Sequence, residues 1–566
     1  MSLNRSCRPH PAEIRKRLHA DPTLGVGNFL AKVLAEDIDR DGWLFELERE
    51  WATPSGRSYR RMSLSDLEIA VGNLAGWYRA QGVKPAEVVL TCTGEGLSQF
   101  LHSVALIALG AVPAPVNWRM PADITVLYYR KYGFAHLSVD RHGYAEHVLA
   151  AVREVSSETL SALDAKPCAD RTEIEPLALT AHRKFGAEDE LVMLCHSSGT
   201  TGVPKAVMFG HQQFFFGKRD RLLHFLDDED ERMVCALPHS HSAGFSYLMT
   251  AVLLGLPTRV LSDLTGPGVA QHVLDFQPTV VVGFPQSYAA LAESLPANSV
   301  PSLRRCFNTG DTAHETHVRS LLRAAPTACF HDGFGASELG MALFNAVSTR
   351  ATGVCGKRNV GRPVPFAQAC ILDELGNPLP RGSIGYLAVR SPTITVGYYR
   401  DPLLTSRCRT PEGDWITGDV GYLDEAGAFI HLDRAVDVMQ TPRGPAYSLA
   451  LEEAVLCEVK VADVSITGIP LTPRTSQAVV AYLRVPPADA SAVCEHVVSV
   501  LDSKLQERFG SALPVAVVNT DPDMPAAVGA TGKVLKRVLR EQFWLALQAL
   551  EEGRQSPFTH AIRRNF

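Results

Sequence analysis

The chain has 566 residues, of which 46% are hydrophobic and 20% charged, and its formal net charge is -6. This length exceeds what a single hydrophobic core supports, so we expect two or more domains. The composition is typical of a globular protein, and the charge balance gives no reason to expect a nucleic-acid surface. The 12 cysteines include no C-x-x-C pair, which argues against a zinc site or a disulfide framework and favours the reducing cytoplasm.

Neither a secretory signal nor a membrane span is predicted. The N-terminal residues have no apolar core of the kind a signal peptide needs. The longest uncharged stretch, 233–258, contains two prolines, two histidines and several serines. This composition indicates a buried strand and helix rather than a transmembrane segment.

The first part of the chain alternates between short strands and helices. Ser63 or Ser65 is a candidate N-cap for the first long helix. An apolar strand is then predicted at Val88–Cys92, a helix over Gly94–Ala111 and a second strand at Val112–Val116. Such alternation is typical of a parallel α/β sheet.

A loop rich in hydroxyl groups and glycine joins two apolar runs, Leu191–Leu194 and Ala206–Phe209. Glycine lets the backbone approach an anion, and backbone N–H groups with Ser and Thr hydroxyls supply donors. Lys205 adds a mobile positive charge suited to phosphate. The pattern predicts a phosphate-binding loop between two strands, distinct from a Walker A loop, which opens a helix. The loop residues are Ser197, Ser198, Gly199, Thr200, Thr201 and Gly202.

After this loop the sequence predicts one helix over His211–Phe225 and a strand at Val234–Leu237. His239 and His241 follow that strand, and on an extended segment they share a face. Metal binding by this pair is possible, but no third ligand is in view, so we do not predict zinc here.

Three further segments each have a strand followed by a glycine-containing loop: Gln277–Pro285, Phe307–Ala313 and His331–Leu339. Ligands bind at the carboxyl edges of such sheets, although an ordinary strand-to-helix connection has the same pattern. In the third segment, Phe334 beside a glycine offers a flat face for a purine, and Glu338 offers a carboxylate for Mg²⁺.

The C-terminal part of the chain is predicted to contain a β-rich segment followed by a smaller α/β unit. Val360–Tyr399 alternates in the manner of β-strands, and Asp419 is predicted to lie in a turn after a strand, where it would accept hydrogen bonds from sugar hydroxyls. A smaller α/β unit follows over 435–566. Near its end, Lys533 lies in a Gly-Lys turn before an amphipathic helix, a position that also suits an ordinary solvated lysine.

Taken together, these motifs resemble the ANL superfamily of adenylate-forming enzymes, which includes acyl-CoA synthetases, peptide-synthetase adenylation domains and beetle luciferases. The resemblance covers nearly the whole chain, and the motifs occur in the family's order. They are SSGTTGVPK (197–205), PHSH (238–241), NTGDTA (308–313), GFGASE (333–338), TGD (417–419), LDR (432–434) and GKVLKR (532–537).

The resemblance implies a fold and a domain organisation. It implies an α/β protein whose large N-terminal domain, residues 1–433, has two α/β-type sheets and a β-rich subdomain. A small, mobile α+β C-terminal domain, residues 434–566, would carry the catalytic lysine.

The resemblance also implies individual roles. Thr200, Thr201 and Lys205 would hold the ATP phosphates, Thr200 and Glu338 would bind Mg²⁺, and Lys533 would reach the acyl carboxylate and the α-phosphate. Thr200, Glu338 and Lys533 would therefore be the catalytic residues. The other ATP- or AMP-binding residues would be Ser197, Ser198, Gly199, Gly310, Asp311, Thr312, Gly333, Phe334, Gly335, Ser337, Asp419 and Arg434. The acyl pocket would be lined by His241, Phe245, Gly283 and Phe284.

The reaction that the resemblance implies is ATP-dependent activation of a carboxylic acid as acyl-AMP, with release of pyrophosphate. Transfer to CoA, to a carrier protein or through a second, acyltransferase-type enzyme would follow. The aromatic and histidine residues of the pocket allow a cyclic, aromatic or hydrophobic acid. No acidic residue stands out as a partner for an α-amino group, which disfavours amino acids.

The sequence departs from the family pattern in the segment associated with thiol transfer. Val436 stands at the hinge position, where a charged residue is usual, and Gln440 replaces the usual lysine. Pro442 and Pro445 lie where the family has a β-hairpin, and each removes a ladder donor. Ala450 replaces the first glutamate of the usual closing pair.

These departures leave three alternatives to a simple acyl-CoA synthetase. The enzyme would pass its adenylate to a partner or to a non-thiol acceptor, or it would activate a small inorganic or amino-substituted acid. A third alternative is a binding protein that keeps the fold without chemistry, although the retention of Glu338 and Lys533 argues against it.

Overall fold

The secondary structure covers most of the chain. The computed structural model describes residues 5–52, 58–93, 97–139, 148, 162–164, 175–179, 190–197, 203–262, 264, 268–311, 313–353, 358–471, 476–521 and 534–565. Its helices are α1 (Ala12–Ala20), α2 (Phe29–Leu34), α3 (Leu64–Ala80), α4 (Leu97–Leu109), α5 (Ala122–Tyr132), α6 (His211–Arg219), α7 (Arg221–His224), α8 (Ser242–Leu254), α9 (Gly268–Phe276), α10 (Pro285–Ser294), α11 (Glu315–Ala324), α12 (Pro402–Arg407), α13 (Ser448–Glu458), α14 (Pro487–Phe509) and α15 (Lys536–Glu551).

Most of the described strands are short. They are β1 (Trp43–Ala52), β2 (Ser58–Ser63), β3 (Val88–Cys92), β4 (Val112–Pro115), β5 (His136–Val139), β6 (Ala162–Asp164), β7 (Leu191–His196), β8 (Ala206–Gly210), β9 (Met233–Ala236), β10 (Thr258–Val260), β11 (Val280–Gly283), β12 (Arg305–Thr309), β13 (Cys329–Gly335), β14 (Ala342–Thr349), β15 (Arg362–Pro363), β16 (Gln368–Leu372), β17 (Gly385–Arg390), β18 (Trp415–Leu423), β19 (Phe429–Arg434), β20 (Met439–Thr441), β21 (Gly444–Ala446), β22 (Ser465–Pro470), β23 (Gln477–Leu483), β24 (Val515–Thr520) and β25 (Phe558–Arg564).

The chain divides into two compact units. The first consists of Met1–Asp311, Leu322–Leu343 and Ser391–Cys408. The second consists of Thr312–Leu321, Phe344–Arg390 and Arg409–Phe566. This division groups most of the β-rich segment with the C-terminal residues, and the boundary at Arg434 stays a prediction.

The first unit contains two mainly parallel sheets. One has the strand order β13-β12-β11-β9-β10-β1-β2, and only β2 is antiparallel to its neighbour. The other has the order β4-β3-β5-β6 and is parallel throughout. Several of the strands, such as Val88–Cys92 and Val280–Gly283, are short, buried apolar runs because parallel strands are covered on both faces. The expectation of two α/β-type sheets is confirmed.

Local sequence explains where several of these elements begin and end. Ser63 caps α3 through a capping box, in which its side chain accepts from the Asp66 N–H while Asp66 accepts from the Ser63 N–H. Gly82 has a φ of +88° and follows the end of that helix. The predicted single helix over 211–225 is instead two helices, α6 and α7, separated at Asp220. That residue is the N-cap position of the shorter α7.

The second unit contains antiparallel and mixed sheets. Strands β16-β17-β18-β19 form an antiparallel sheet, and β22-β23-β24-β25 form a mixed one. The C-terminal sheet is covered on one face by α13 and α14 and on the other by α15, which gives it two apolar cores. The β-rich and α+β parts of the predicted fold are thus confirmed. Among the described residues, no helix combines the length and the apolar character needed to cross a membrane.

The hairpin after Arg434 forms in spite of its prolines. Strands β20 and β21 pair antiparallel, with Gln440 opposite Pro445. The Gln440 N–H donates to Gln477 Oε1 (3.0 Å) and the Pro445 carbonyl accepts from Arg508 (3.0 Å), so both backbone groups bond away from the ladder. A proline at such a position removes no ladder hydrogen bond. The expectation that Pro445 removes a ladder donor is therefore wrong, and Pro442 lies in the connecting turn.

Asp419 also differs from expectation. It lies inside β18, opposite Arg434 of β19, and not in a turn after a strand. The preceding Gly418 has a φ of +78°, and the pairing of β18 with both of its neighbours is irregular close to this point. The TGD sequence therefore makes a local irregularity within a strand, of the kind that redirects a side chain at a functional position.

Candidate active site

The phosphate loop has a well-defined base. Strands β7 and β8 pair antiparallel on either side of it. The Ser197 N–H donates to the Lys205 carbonyl (2.9 Å), and the Lys205 N–H donates to Ser197 Oγ (3.1 Å). The two ends of the loop are therefore tied together. Ser198, Gly199, Thr200 and Thr201 lie outside the described residues, so their roles stay predictions.

Lys205 is linked to Glu338 through a tyrosine. Lys205 Nζ donates to the Tyr398 hydroxyl (3.5 Å), and that hydroxyl donates to Glu338 Oε1 (2.8 Å). Lys205 Nζ also lies 5.0 Å from the centroid of the Tyr398 ring. Burial and the adjacent Glu338 carboxylate raise the pKa of the Tyr398 phenol. The predicted phosphate-binding cation and the predicted metal-binding carboxylate are thus brought together.

The glycine-containing loops lie at one edge of the first sheet. Strands β11, β12 and β13 are adjacent and parallel, with Gly283 opposite Asn308 and Asn308 opposite Asp332. Their carboxyl ends therefore meet at the same edge, where ligands bind in open α/β sheets. Phe334 and Gly335 end β13, and Ser337 and Glu338 form a short 3-10 helix directly after it.

Close backbone approach explains two of these glycines. Gly310 has a φ of +88°, and a Cβ added there would lie 2.6 Å from the Phe284 ring. A Cβ on Gly335 would lie 2.5 Å from the Met341 carbonyl oxygen. A side chain at either position would collide with its neighbour, so both loops need glycine to keep this shape. Gly333 is less tightly packed, since a Cβ added there would lie 3.0 Å from its nearest neighbours, Ala342 and Asn308.

The loop after β12 is held by an asparagine. Asn308 Nδ2 donates to Asp332 Oδ1 (2.7 Å) and to the Asp311 carbonyl (3.2 Å). This ties Asp311 to the end of the neighbouring strand. Thr312 lies outside the described residues, and its role stays a prediction.

Of the predicted acid-pocket residues, His241 and Phe284 are in contact. Their rings meet edge to face at 5.3 Å. His241 is the N-cap of α8, and its Nδ1 accepts from the Ala243 N–H (3.2 Å), which leaves the ring proton on Nε2 when the imidazole is neutral. Gly283 immediately precedes Phe284 at the end of β11.

Phe245 lies in a different environment. It is 1% exposed, and its ring contacts those of Phe100 (5.3 Å) and Phe214 (5.9 Å). It therefore packs in an aromatic cluster of the first unit's core. Among the described residues, these ring contacts lie in the core rather than with His241 or Phe284, and the role of Phe245 in the acid pocket stays a prediction.

In the second unit, Asp419 and Arg434 form the predicted pair. Arg434 Nε lies 3.4 Å from Asp419 Oδ1, and His431 Nε2 lies 3.4 Å from the same oxygen. Burial alone would raise the pKa of Asp419, but Arg434 and His431 together lower it to about 2. Asp419 is therefore an ionised, buried acceptor, the form that would bind a vicinal diol.

Lys533 lies outside the described residues, but Lys536 of the same motif is described. Lys536 Nζ lies 2.9 Å from Glu452 Oε1 and donates to Ser448 Oγ (2.6 Å). The Ser448 N–H in turn donates to Asp433 Oδ2 (2.6 Å). Although burial lowers it, the Glu452 and Asp433 carboxylates raise the pKa of Lys536. The start of α15 is thus fastened to α13 and to the end of β19.

Two residues of this geometry were not singled out from sequence. Tyr398 lies in the VGYY sequence at the end of the β-rich run, where nothing local marks its hydroxyl as a link to Lys205. Lys536 stands three residues after Lys533, and its local sequence does not distinguish it from a solvated lysine on a helix face. A buried partner for it could have been sought in the LEE sequence, which keeps Glu452 and Glu453.

Comparison with known proteins agrees with these features. Residues 48–399 match the family described as AMP-binding enzyme. The chain is 32% identical to a 3-aminoavenalumate diazotase from Streptomyces sp, covering 94% of this chain and 98% of that protein. It is 26% identical to a 3-hydroxybenzoate–CoA ligase from Aromatoleum sp. (strain CIB), covering 85% and 92%.

A solved structure shares the fold. The structure of ATP-bound MatB from Rhodopseudomonas palustris matches with a TM-score of 0.74 and 21% identity, covering 91% of this chain and 99% of that one. With the family match over more than half of the chain, this protein belongs to the AMP-binding enzyme family and is an adenylate-forming ligase of the ANL superfamily, which uses ATP and Mg²⁺ to activate an acid.

Proposed function

We propose that this enzyme activates a carboxylic acid as acyl-AMP, releases pyrophosphate and passes the acyl group to the thiol of CoA. The observation that carries the first half is the link from Lys205 through Tyr398 to Glu338 at the base of the phosphate loop. This link brings together the Lys205 ammonium group, which suits phosphate oxygens, and the Glu338 carboxylate, whose oxygens are the ligand type that Mg²⁺ prefers. The family's CoA ligases support the second half.

The chemistry needs few protein groups. A carboxylate oxygen attacks the α-phosphorus of ATP, the bond to the bridging oxygen breaks, and pyrophosphate leaves with its electron pair. Catalysis of such an in-line displacement rests on positioning and on charge stabilisation. When bound, Mg²⁺ neutralises charge on the phosphate oxygens, and Glu338 with Thr200 would hold it.

The remaining residues would bind and orient the reactants. Lys205 would contact the phosphates, and Phe334 would lie against the adenine ring. The ionised Asp419 with Arg434 would hold the ribose hydroxyls. His241 and Phe284 would lie against the acid, and Lys533 would reach the carboxylate and the α-phosphate in the reacting complex.

A second function is favoured by one relative, the 3-aminoavenalumate diazotase, of which 98% is covered by the match. Its match to 94% of the chain extends beyond the family segment, which ends at residue 399. In addition, Val436 and Gln440 replace residues that are usually charged in the thiol-transfer segment. An enzyme with a non-thiol acceptor has no need of that segment's usual chemistry.

Diazotisation fits the same activation step with different reactants. A nitrite oxygen would attack the α-phosphorus and expel pyrophosphate, giving nitrosyl-AMP. The nitrogen of an aryl amine would then attack the nitrosyl nitrogen, AMP would leave, and the amine would lose a proton. Protonation and loss of water from the resulting N-nitrosamine would give the diazonium ion. In this second function the acid is inorganic and the acceptor is an amine.

One experiment separates the two functions. Purified enzyme with Mg-ATP receives either a panel of carboxylic acids with and without CoA, or nitrite with a panel of aminobenzoates and aminocinnamates at pH 8. Pyrophosphate release is followed, and products are identified by mass or, for diazonium ions, by coupling to a naphthol. An acyl-CoA supports the first function, and an ATP-dependent azo product supports the second.

Two further outcomes are informative. An acyl adenylate that accumulates with CoA present would mean that another acceptor or a partner enzyme completes the reaction. Pyrophosphate release that no acid raises above the acid-free rate would contradict both functions. Reactions without ATP control for spontaneous nitrosation.

A further inference from the structure

The segment before α12 is paired with the strand that follows the phosphate loop. The Met208 N–H donates to the Gly397 carbonyl (3.0 Å), and the Tyr399 N–H donates to the Ala206 carbonyl (2.8 Å). Val207 and Tyr398 form an antiparallel bridge between these two bonds. Because Lys205 directly precedes β8, this backbone pairing fixes Tyr398 beside it.

The same segment also holds Glu338. The Thr395 N–H donates to the Glu338 carbonyl (2.8 Å), while the Tyr398 hydroxyl donates to Glu338 Oε1 (2.8 Å). The backbone and the side chain of the carboxylate are therefore both set by residues 395–398. Among the described residues, Glu338 Oε2 has no hydrogen-bond partner, so one oxygen is engaged and the other is left for a ligand.

The hydroxyl of Tyr398 does more than fill space. The residue is 3% exposed, and a phenylalanine ring would occupy nearly the same volume. A buried hydroxyl must find partners, and those here include Lys205 and Glu338, two residues far apart in sequence, with Cys408 as a further contact. A purely structural aromatic residue at this position would need no hydroxyl.

We propose that Tyr398 is a positioning residue for Mg-ATP: its hydroxyl fixes the Glu338 carboxylate so that Oε2 stays available to the metal, and its ring face holds Lys205 at the base of the phosphate loop. The proposal rests on the proposed adenylation and deepens it, because it concerns how the nucleotide and its metal are received. Tyr398 touches neither reactant in this account and acts through its two neighbours.

The test compares Tyr398→Phe with Tyr399→Phe. The control removes a neighbouring hydroxyl for which the described residues provide no hydrogen bond, while Tyr399 keeps its backbone bond to Ala206 and its stacking on Phe134. ATP binding is measured by calorimetry at increasing Mg²⁺ concentrations, and acid-dependent exchange of labelled pyrophosphate into ATP is followed in parallel.

We expect Tyr398→Phe to raise the Mg²⁺ concentration for half-maximal ATP binding roughly tenfold, the effect of losing one hydrogen bond to a charged group. Affinity for metal-free ATP should change by about twofold at most, because phenylalanine keeps the ring face against which Lys205 lies. Tyr399→Phe should behave as the wild type does. Equal Mg²⁺ dependence in all three proteins would overturn the proposal.

A second variant keeps the test decisive if Tyr398→Phe lowers the midpoint of thermal unfolding more than Tyr399→Phe does. Glu338→Gln keeps the side-chain volume and a carbonyl acceptor for the phenol, and it should show an Mg²⁺ defect of its own. The double variant should show an Mg²⁺ defect little larger than that of either single variant, since both changes act on one interaction. Additive losses would contradict the proposal. If no acid supports exchange, adenylation itself fails, while the Mg²⁺ dependence of ATP binding still decides the role of Tyr398.

Discussion

The base of the phosphate loop and the segment after Arg434 relate differently to the family pattern. At the loop base, the residues expected from the resemblance are present, and Lys205 and Glu338 are joined by Tyr398. After Arg434, expected residues are replaced, yet β20 and β21 still pair and Lys536 is buried against Glu452. Backbone register and buried ion pairs maintain the second region where its surface residues have changed.

The residues of the two regions are under different constraints. Residues at the loop base are constrained by ligands as well as by packing, because they present charges toward a polar reactant. Residues such as Val436, which is 57% exposed, can change without loss of the local fold. We therefore propose that the second region decides which acceptor is used, whereas the first region serves activation of the acid.

The largest effect is expected from Lys533→Ala. Loss of a lysine that stabilises charge in the transition state should lower the adenylation rate by roughly 10²–10³, in line with the loss of one oxyanion donor. Acid-dependent pyrophosphate release measures this. The control is Lys460→Ala, at an exposed lysine of the same unit. A rate for Lys533→Ala equal to that of the control would contradict the role assigned to Lys533.

Lys536→Met should affect stability. Removing this cation leaves the Glu452 and Asp433 carboxylates buried with their compensating charge gone, which typically costs about 3–5 kcal/mol. Urea or thermal unfolding measures the loss. Lys504→Met is the matched control, since its ion pair with Glu458 on α13 is exposed to solvent and should change the free energy of unfolding much less. Equal effects of the two substitutions would show that the Lys536 network adds no stability.

The lowered pKa of Asp419 predicts that the free energy of unfolding depends on pH. Its pKa is lowered from 3.8 to about 2 in the folded state, so it stabilises the fold by about 2 kcal/mol above pH 4. This contribution is lost as the pH falls through about 2, because the folded carboxylate is then protonated. The free energy of unfolding of wild type minus that of Asp419→Asn should shrink below pH 4. A difference that stays constant from pH 7 to pH 2.5 would contradict this assignment.

The smallest effect is expected from restoring family-like residues after Arg434. Gln440 is exposed, so Gln440→Lys should change adenylation by about twofold at most. If CoA is the acceptor, the same change should raise the CoA-dependent rate. If an amine is the acceptor, CoA should stay without effect in both proteins. Measuring the two half-reactions separately distinguishes these cases.

Much of the first unit could be predicted from local sequence. Val88–Cys92 is a strand as predicted, because a short run of buried apolar residues suits a parallel sheet. Ser63 caps its helix through a local hydrogen-bond pattern. The glycine loops reach one sheet edge because β11, β12 and β13 are parallel neighbours. In each case the signal lies within a few residues of the feature it predicts.

What could not be predicted depends on partners distant in the chain. The role of Tyr398 arises only when residues 395–399 pair with β8, which lies almost 200 residues earlier. The local sequence does not reveal that the Pro445 carbonyl accepts from Arg508, or that the N–H of its cross-strand partner Gln440 donates to Gln477. Asp419 lies within a strand because Arg434 is its cross-strand partner. Tertiary pairing decided these three positions.

The most direct test of adenylate formation is acid-dependent exchange of labelled pyrophosphate into ATP, with carboxylic acids and nitrite each offered in turn. Exchange requires reversible attack of an acid on the α-phosphorus and needs no acceptor, so it is independent of the changes after Arg434. We predict that at least one acid raises exchange well above the acid-free rate. If no acid does so with folded, ATP-binding enzyme, the account of this protein as an acid-activating enzyme is contradicted.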